Sequence, residues 1–262
     1  MRTPITYYGG KQTLAPAIIK LMPAHNLYCE PFCGGAAVFF LKEKTLSAVE
    51  VLNDTNQELI NFFRVTQNDF VSLEKEVRIS LHSRRLFTDA SVIYNNPHMF
   101  SEIKRAWALW VLAAQGFAGI LDSNWGYDKI KATTSRKVAN KRMSFTEEFA
   151  YRLQDVQLEC TDAIRIINSR DTENSLFYVD PPYYNSDCGH YDSYTIEDFE
   201  KLLTTLSGIK GKFMLSSYPS DILNNFTNKF AWYNTKWIKN VSVNKGCNGK
   251  KKTEVLTTNF MI

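Results

Sequence analysis

An apolar run, Leu176-Phe177-Tyr178-Val179, is stopped by Asp180-Pro181-Pro182-Tyr183. A short unbroken apolar run bounded by a turn reads as a strand covered on both faces, as in a parallel sheet. The two prolines have no N–H to donate and a fixed φ, so the strand cannot run on. A carboxylate, two rigid residues and an aromatic ring thus mark the carboxyl end of a strand, where open α/β sheets bind ligands. Two readings fit. One is a plain strand terminator. The other is a clamp for a planar molecule bearing an amino group. The Asp180 carboxylate and a proline-held backbone carbonyl accept its two hydrogens, and the Tyr183 ring offers a stacking face.

The surrounding pattern predicts a doubly wound α/β sheet. A Gly-rich loop, Tyr7-Tyr8-Gly9-Gly10-Lys11, precedes a helical pattern over 14–21. A strand is expected at 27–30, a turn at 31–35, a helix at 36–44, a strand at 48–53 ending at Asp54, and a helix at 56–67. From 68 to 146 helical patterns dominate, at 70–79 and 100–114, followed by a polar stretch with aromatics and basic residues. Strand and helix then alternate again, with strands at 156–159, 176–179 and 213–216 and helices at 163–168 and 196–206. The tail reads as antiparallel strands at 230–237 and 254–260. The expected organisation is a catalytic core from 1–67 and 147–262, with a mostly helical insert at 68–146.

Composition removes several classes of function. No apolar run approaches the roughly 18 residues of a membrane span, and no apolar stretch of a signal peptide follows Met1-Arg2-Thr3-Pro4. A cytoplasmic protein with no membrane partner is the expectation, and a monomer. Five cysteines, an odd number, argue against a secreted disulfide framework. Cys29 and Cys33 are spaced like half a zinc site, but no second pair follows, so no metal is expected. The net charge of +4 permits a nucleic-acid partner. Its positive residues gather at Lys129, Lys131, Arg136, Lys137, Lys141 and Arg142, and again at Lys250-Lys251-Lys252; a solvated face is the alternative for each group.

Glu30-Pro31-Phe32-Cys33-Gly34-Gly35 lies between a strand and a helix, where glycines let backbone approach a ligand closely. It is neither a P-loop nor a full dinucleotide-binding fingerprint, so ATP and NAD are disfavoured. Asp54 ends the next strand about 20 residues on, where an acid holds ribose hydroxyls. Asp162 ends another strand, within reach of an adenine amino group. A nucleoside ligand without pyrophosphate fits this set, S-adenosylmethionine (SAM) above all. For both Asp54 and Asp162 the alternative is a helix N-cap.

Taken together and in this order, Tyr7-Tyr8-Gly9-Gly10-Lys11, Glu30-Pro31-Phe32-Cys33-Gly34-Gly35, Asn53-Asp54-Thr55-Asn56 and Asp180-Pro181-Pro182-Tyr183 closely resemble the Dam-like (D12 class, alpha group) DNA adenine-N6 methyltransferases. The resemblance covers nearly the whole chain. Phe213-Met214-Leu215-Ser216 looks like the family's later strand motif, and Lys252-Thr253-Glu254-Val255-Leu256 with Asn259-Phe260 like its C-terminal end. It implies a Rossmann-like SAM-dependent methyltransferase sheet with an antiparallel C-terminal strand and an inserted DNA-recognition region. It also implies SAM as cofactor and double-stranded DNA as partner. Tyr7, Gly9, Gly10, Lys11, Glu30, Pro31, Phe32, Gly34 and Gly35 would line the SAM pocket. Asp54 would hold the ribose, Asp162 the adenine amino group, and Asp180 would border the cofactor.

The implied target is an adenine flipped out of the duplex. It would stack on Tyr183 and give its N6 hydrogens to the Asp180 carboxylate and the Pro181 carbonyl, with Pro182 keeping that loop rigid. The nitrogen lone pair then faces the SAM methyl, and no covalent enzyme intermediate is needed. On this reading Tyr183 acts through its ring, not its hydroxyl. Gln115-Gly116-Phe117-Ala118-Gly119-Ile120 and Trp125-Gly126-Tyr127-Asp128-Lys129 look like phage-type members of the family. The Dam stretch ending Phe-Asn-Val-Pro-Phe-Gly is absent, so GATC methylation is not implied. The six clustered cations would contact phosphates. Asn124, Trp125 and Tyr127 would approach bases, the alternative being an aromatic packing plug. Amino-methyltransferases for cytosine N4 or a protein glutamine, and a non-catalytic DNA-binding relative, are the other readings of the chain.

Overall fold

The computed structural model describes residues 1–185, 194–240 and 251–262. The chain opens with α1 (Ala15–Lys20), β1 (Leu27–Glu30), α2 (Ala37–Leu41), β2 (Val49–Asn53) and α3 (Gln57–Asn68). Helices alone follow: α4 (Phe70–Ile79), α5 (Arg84–Asn95), α6 (Glu102–Gln115), α7 (Thr134–Met143) and α8 (Glu148–Leu153). Alternation then resumes through β3 (Gln157–Glu159), α9 (Ala163–Arg170), β4 (Ser175–Val179), α10 (Ile196–Gly208), β5 (Lys212–Ser217), α11 (Asp221–Phe230), β6 (Tyr233–Asn240) and β7 (Lys251–Thr258). The described strands take the order β3-β2-β1-β4-β5-β7-β6. This is the expected doubly wound α/β sheet. From β1 the chain proceeds to β2 on one side and later fills β4 and β5 on the other, which makes β1 and β4 the point where strand order reverses.

Two compact units make up the chain. The first comprises Met1–Met22 and Cys33–Thr161. Within it β2 and β3 pair in parallel, Leu52 opposite Leu158. Its axis is α6, where every residue from Ala106 to Gln115 is buried. A helix apolar all round can only sit at a centre, and α6 packs against α3, α4, α5 and α7. It begins at Glu102, later than the expected 100, because the Ser101 hydroxyl caps it by accepting from Lys104 N–H. Beside β2 lies a buried ion cluster. Arg152 of α8 donates to both Glu50 oxygens at 2.5 and 2.8 Å and to the Phe39 carbonyl at 3.0 Å, and Lys42 reaches Glu50 at 2.7 Å. Each charge there is paired, as burial requires.

The second unit comprises Pro23–Phe32 and Asp162–Ile262. Strands β1, β4 and β5 run parallel, and β7 runs antiparallel between β5 and β6. All five residues of β4 are buried, as the apolar run predicts for a strand covered on both faces. Beyond β7, the Asn259 side chain accepts from Phe213 N–H at 3.0 Å and donates to the Gly211 carbonyl at 2.9 Å. The tail strand expected at 230–237 starts later. Helix α11 runs to Phe230, Ala231 turns the chain at φ 53°, and Trp232 packs back onto Phe226 and Phe230 before β6 begins.

Candidate active site

In the second unit, β1 and β4 lie side by side with Cys29 opposite Phe177. Glu30 therefore ends one strand beside the point where Asp180 follows the other. Glu30 is buried, and its Oε1 accepts from the Tyr28 hydroxyl at 2.8 Å. Phe32, two residues on, meets Tyr194 edge to face at 6.3 Å. After β4, Pro181 is buried, while Asp180, Pro182 and Tyr183 are half-buried. The Tyr183 hydroxyl lies 3.0 Å from Asp180 Oδ1 and 2.7 Å from Glu254 Oε1 on β7. Its ring packs against Tyr218, just past β5, with centroids 4.5 Å apart and planes at 67°. Beneath it the Tyr178 hydroxyl pairs with Ser216 Oγ at 3.0 Å. Burial first, and the Asp180 charge second, push both the Tyr178 and Tyr183 phenols well above the usual range, so both are neutral. The hydroxyl of Tyr183, to which the sequence assigns no task, is thus engaged at both ends.

In the first unit, Asp54 follows β2 directly. One carboxylate oxygen accepts from Gly34 N–H at 3.0 Å and the other from Asn56 N–H at 2.9 Å. The turn it holds is left-handed, with Gly34 at φ 47° and Ala36 at φ 52°, and Cys33 N–H bonds the Asn53 carbonyl at 2.8 Å. A side chain on Gly34 would meet the Tyr7 ring at 3.2 Å. The Tyr7 carbonyl in turn accepts from Gly10 N–H at 3.1 Å, and Lys11, buried, donates to the Gly9 carbonyl at 3.2 Å. Burial raises the Asp54 carboxyl above its usual range, partly offset by the N–H groups of Asn56 and Gly34. Asn53 is a further residue of this end of the sheet. Its amide donates to the Thr161 carbonyl and accepts from Thr161 N–H, both at 3.0 Å, joining the end of β2 to the end of β3.

The two acids that read alike in sequence part company here. Asn56, not Asp54, caps α3, accepting from the N–H groups of Glu58 and Leu59. Asp162 does cap its helix, accepting from Arg165 N–H at 3.1 Å.

The aromatic loop of the first unit is built on Gln115 at the end of α6. Its side-chain oxygen accepts from Ser83 N–H at 3.0 Å and from the Trp125 indole at 3.1 Å, and its amide donates to the Leu81 carbonyl at 3.0 Å. Trp125 is sandwiched, stacked on His82 at 4.6 Å and Tyr127 at 5.8 Å, with the Arg84 guanidinium 4.7 Å from its ring. Trp125 is half-buried among these partners, whereas Asn124 and Tyr127 are exposed. The basic stretch expected as loop contains α7. The Asp128 carboxylate supplies its start, accepting from Thr134 N–H at 2.9 and 2.8 Å and Ser135 N–H at 3.1 Å, which holds its carboxyl down at about 2. Lys131, Arg136 and Lys137 line one concavity of about 480 Å³ with Thr133 and Asn140. Lys129 is exposed beside Tyr127. Lys141 is turned inward toward the Ala113 carbonyl at 3.4 Å, and burial, with the Lys137 charge, lowers it to about 8. Arg142 is half-buried. Among the described residues no group of three or more His, Cys, Asp or Glu is placed to hold a metal ion, and no helix is long and apolar enough to cross a membrane.

Comparison with known proteins gives one family. The profile of the D12 class N6 adenine-specific DNA methyltransferases matches residues 7–241. The type II methyltransferase M1.LlaDCHI of Lactococcus lactis subsp. cremoris is 25% identical, the match covering 96% of this chain and 93% of that protein. The type II methyltransferase M.MjaIII of Methanocaldococcus jannaschii is 24% identical over 95% of this chain and 94% of its own length. The DNA N-6-adenine-methyltransferase of Escherichia phage P1 is 27% identical over 70% of this chain, which spans 24% of that longer protein.

Proposed function

The chain belongs to the D12 class of N6 adenine-specific DNA methyltransferases, and from that premise we propose how its residues divide the work of methylating adenine N6 in DNA. The family implies S-adenosylmethionine as methyl donor. The residues fit that molecule. The Asp54 carboxylate is fixed by two backbone N–H groups and keeps lone pairs for ribose hydroxyls, while Gly34 and Gly35 carry no Cβ at the adjoining turn. In our reading Tyr7, Gly9, Gly10, Lys11, Glu30, Pro31 and Phe32 also touch the cofactor, and Asp162 takes its adenine amino group. SAM brings a methyl group on a sulfonium sulfur, open to displacement by a nitrogen lone pair.

Asp180 and Pro181 do the rest. The adenine, flipped from the duplex, gives its N6 hydrogens to the Asp180 carboxylate and the Pro181 carbonyl, and its ring stacks on Tyr183. Acceptors fixed where positive charge grows on nitrogen favour the transition state over the ground state. The observation that carries this reading is the Asp180 carboxylate, held by the Tyr183 hydroxyl at 3.0 Å where strand order reverses. Lys129, Lys131, Arg136 and Lys137 supply phosphate contacts, and Asn124 and Tyr127 approach the bases. We place the enzyme in the cytoplasm, acting as a monomer.

The test is direct. Duplex DNA incubated with the protein and labelled SAM, then digested to nucleosides, is expected to yield N6-methyladenine. Label in N4-methylcytosine, or in protein and not in DNA, would refute the reading.

A further inference from the structure

We propose that Tyr94, on helix α5, is a positioning residue for the cofactor, acting through Asn56 on Asp54. This rests on the reading of Asp54 as the acid that holds the ribose hydroxyls. All three residues lie in the first unit. Helix α5 buries Phe87, Ala90 and Ile93 and packs on α6. Tyr94 stands one turn beyond Ala90 on that side, half-buried. Its hydroxyl oxygen accepts from the Asn56 side-chain N–H at 3.1 Å, across 38 residues of sequence. Burial raises the Tyr94 phenol, the Asn56 contact offsets part of this, and the charges of Glu58, Asp122 and Asp54 raise it again. The phenol is therefore neutral, with lone pairs that can accept.

Asn56 is the joint between the two. Its side-chain oxygen caps α3, accepting from Glu58 N–H at 3.0 Å and Leu59 N–H at 3.2 Å. Those two donors decide which end of the amide is oxygen, so the NH2 group takes the other side, and there it meets Tyr94. The cap holds the amide by one end only. Tyr94 holds it by the other, and a planar group held at both ends has little room to rock. The residue fixed in this way donates its backbone N–H to Asp54 Oδ1 at 2.9 Å. Gly34 N–H holds Asp54 Oδ2 at 3.0 Å. A carboxylate that must meet two ribose hydroxyls binds best when its direction is set beforehand, and outer contacts of this kind set it. Without the Tyr94 hydroxyl, the Asn56 side of the clamp loosens while the Gly34 side stays. Tyr94 touches no reacting atom. The helical stretch read as DNA recognition thereby also serves the cofactor.

The experiment titrates the full chain calorimetrically with S-adenosylhomocysteine, the demethylated cofactor, and with its analogue lacking both ribose hydroxyls. The variants are Tyr94→Phe, Asn56→Ser and the two combined. Phenylalanine keeps the ring and removes the acceptor. Serine keeps a helix cap but is too short to reach Tyr94. Tyr94→Phe is expected to weaken S-adenosylhomocysteine by about three- to tenfold, the scale of one neutral hydrogen bond. Its affinity for the deoxy analogue is expected to match the wild type, since that ligand has no hydroxyls for Asp54 to hold. The double variant is expected to bind no more weakly than Asn56→Ser alone, because both changes act along one path. Unchanged affinity in Tyr94→Phe would overturn the proposal, even with a lower unfolding midpoint, since the contact would then only tie helices together. Equal weakening of both ligands overturns it as well, and so do losses that multiply in the double variant. The ribose reading of Asp54 survives each of these. A wild type that binds the deoxy analogue as tightly as S-adenosylhomocysteine refutes that reading, and the positioning role with it.

Discussion

Asp54→Asn changes one atom's identity and almost no volume, yet it is expected to be strongly damaging. The carboxylate accepts from Gly34 N–H through one oxygen and Asn56 N–H through the other. An amide has one oxygen. Whichever way it turns, its NH2 group faces one of these N–H donors. The loss is one hydrogen bond to a charged group, about 1.5–3 kcal/mol, plus a buried donor left unmet at about 1–3 kcal/mol. Removing a buried charge returns part of this, since burial already raises the Asp54 carboxyl. A net cost of about 2–4 kcal/mol remains. At about 2–4 °C per kcal/mol for a chain of this size, the midpoint of thermal unfolding falls by roughly 5–15 °C. Circular dichroism without SAM reads this, and calorimetric titration with SAM reads the binding that depends on the same turn. Asp54→Ala is the control. It loses both acceptors and leaves both N–H donors unmet, so it is expected to be at least as damaging as Asp54→Asn. If Asp54→Asn unfolds within a degree or two of the wild type, Asp54 does not clamp this turn and the reasoning fails.

Asp180→Ala is expected to abolish methyl transfer while SAM affinity stays within about tenfold, or about 1.4 kcal/mol; a near-normal rate would sink the proposed chemistry. Replacing Lys129, Lys131, Arg136 and Lys137 together by Ala should flatten the plot of log affinity for DNA against log salt by about 3–4 units, close to one per phosphate contact. An unchanged slope would put the phosphate contacts elsewhere. Lys141→Met should leave that slope alone, because the ammonium points to the Ala113 carbonyl. It should instead change the response of stability to pH. Burial holds folded Lys141 down at about 8 against the ordinary lysine value of 10.5. Between those values the unfolded chain holds a proton that the folded chain lacks, so wild-type stability rises with pH across that window. Urea denaturation over that range should show the rise in the wild type and lose it in Lys141→Met; equal slopes would refute the inward placement.

Strand β4 was legible because burial on both faces writes itself as an apolar run, Leu176 to Val179. The helix α6 was legible for the same reason. Helix α7 was not, since its sequence is polar and its starting cap, Asp128, sits six residues ahead of Thr134. Asp54 and Asp162 show the limit of local reading. Each is an acid between a strand and a helix, and each reads equally as ligand or cap. What separates them is Asn56, two residues beyond Asp54, which takes over the capping and frees the carboxylate for Gly34. The contact of Tyr183 with Glu254 spans 71 residues. It exists only because β7 inserts antiparallel beside β5, which no local pattern states. The Tyr183 ring was legible as a chemical type; the contacts of its hydroxyl were not.

Gln115 divides the aromatic loop into parts with different freedom to change. Its one buried side chain ties down Leu81, Ser83 and Trp125, and its carbonyl holds Gly126. Asn124, Tyr127 and Lys129 stand outside that knot, exposed to solvent. Substitution among these three alters what the loop presents and leaves the hydrogen bonds of Gln115 in place, although Tyr127 also stacks on Trp125. On the proposed reading of Asn124 and Tyr127 as base contacts, a lineage, or a library built in the laboratory, can exchange one target sequence for another at these two positions, while Gln115 and Trp125 keep the frame on which each new surface is displayed.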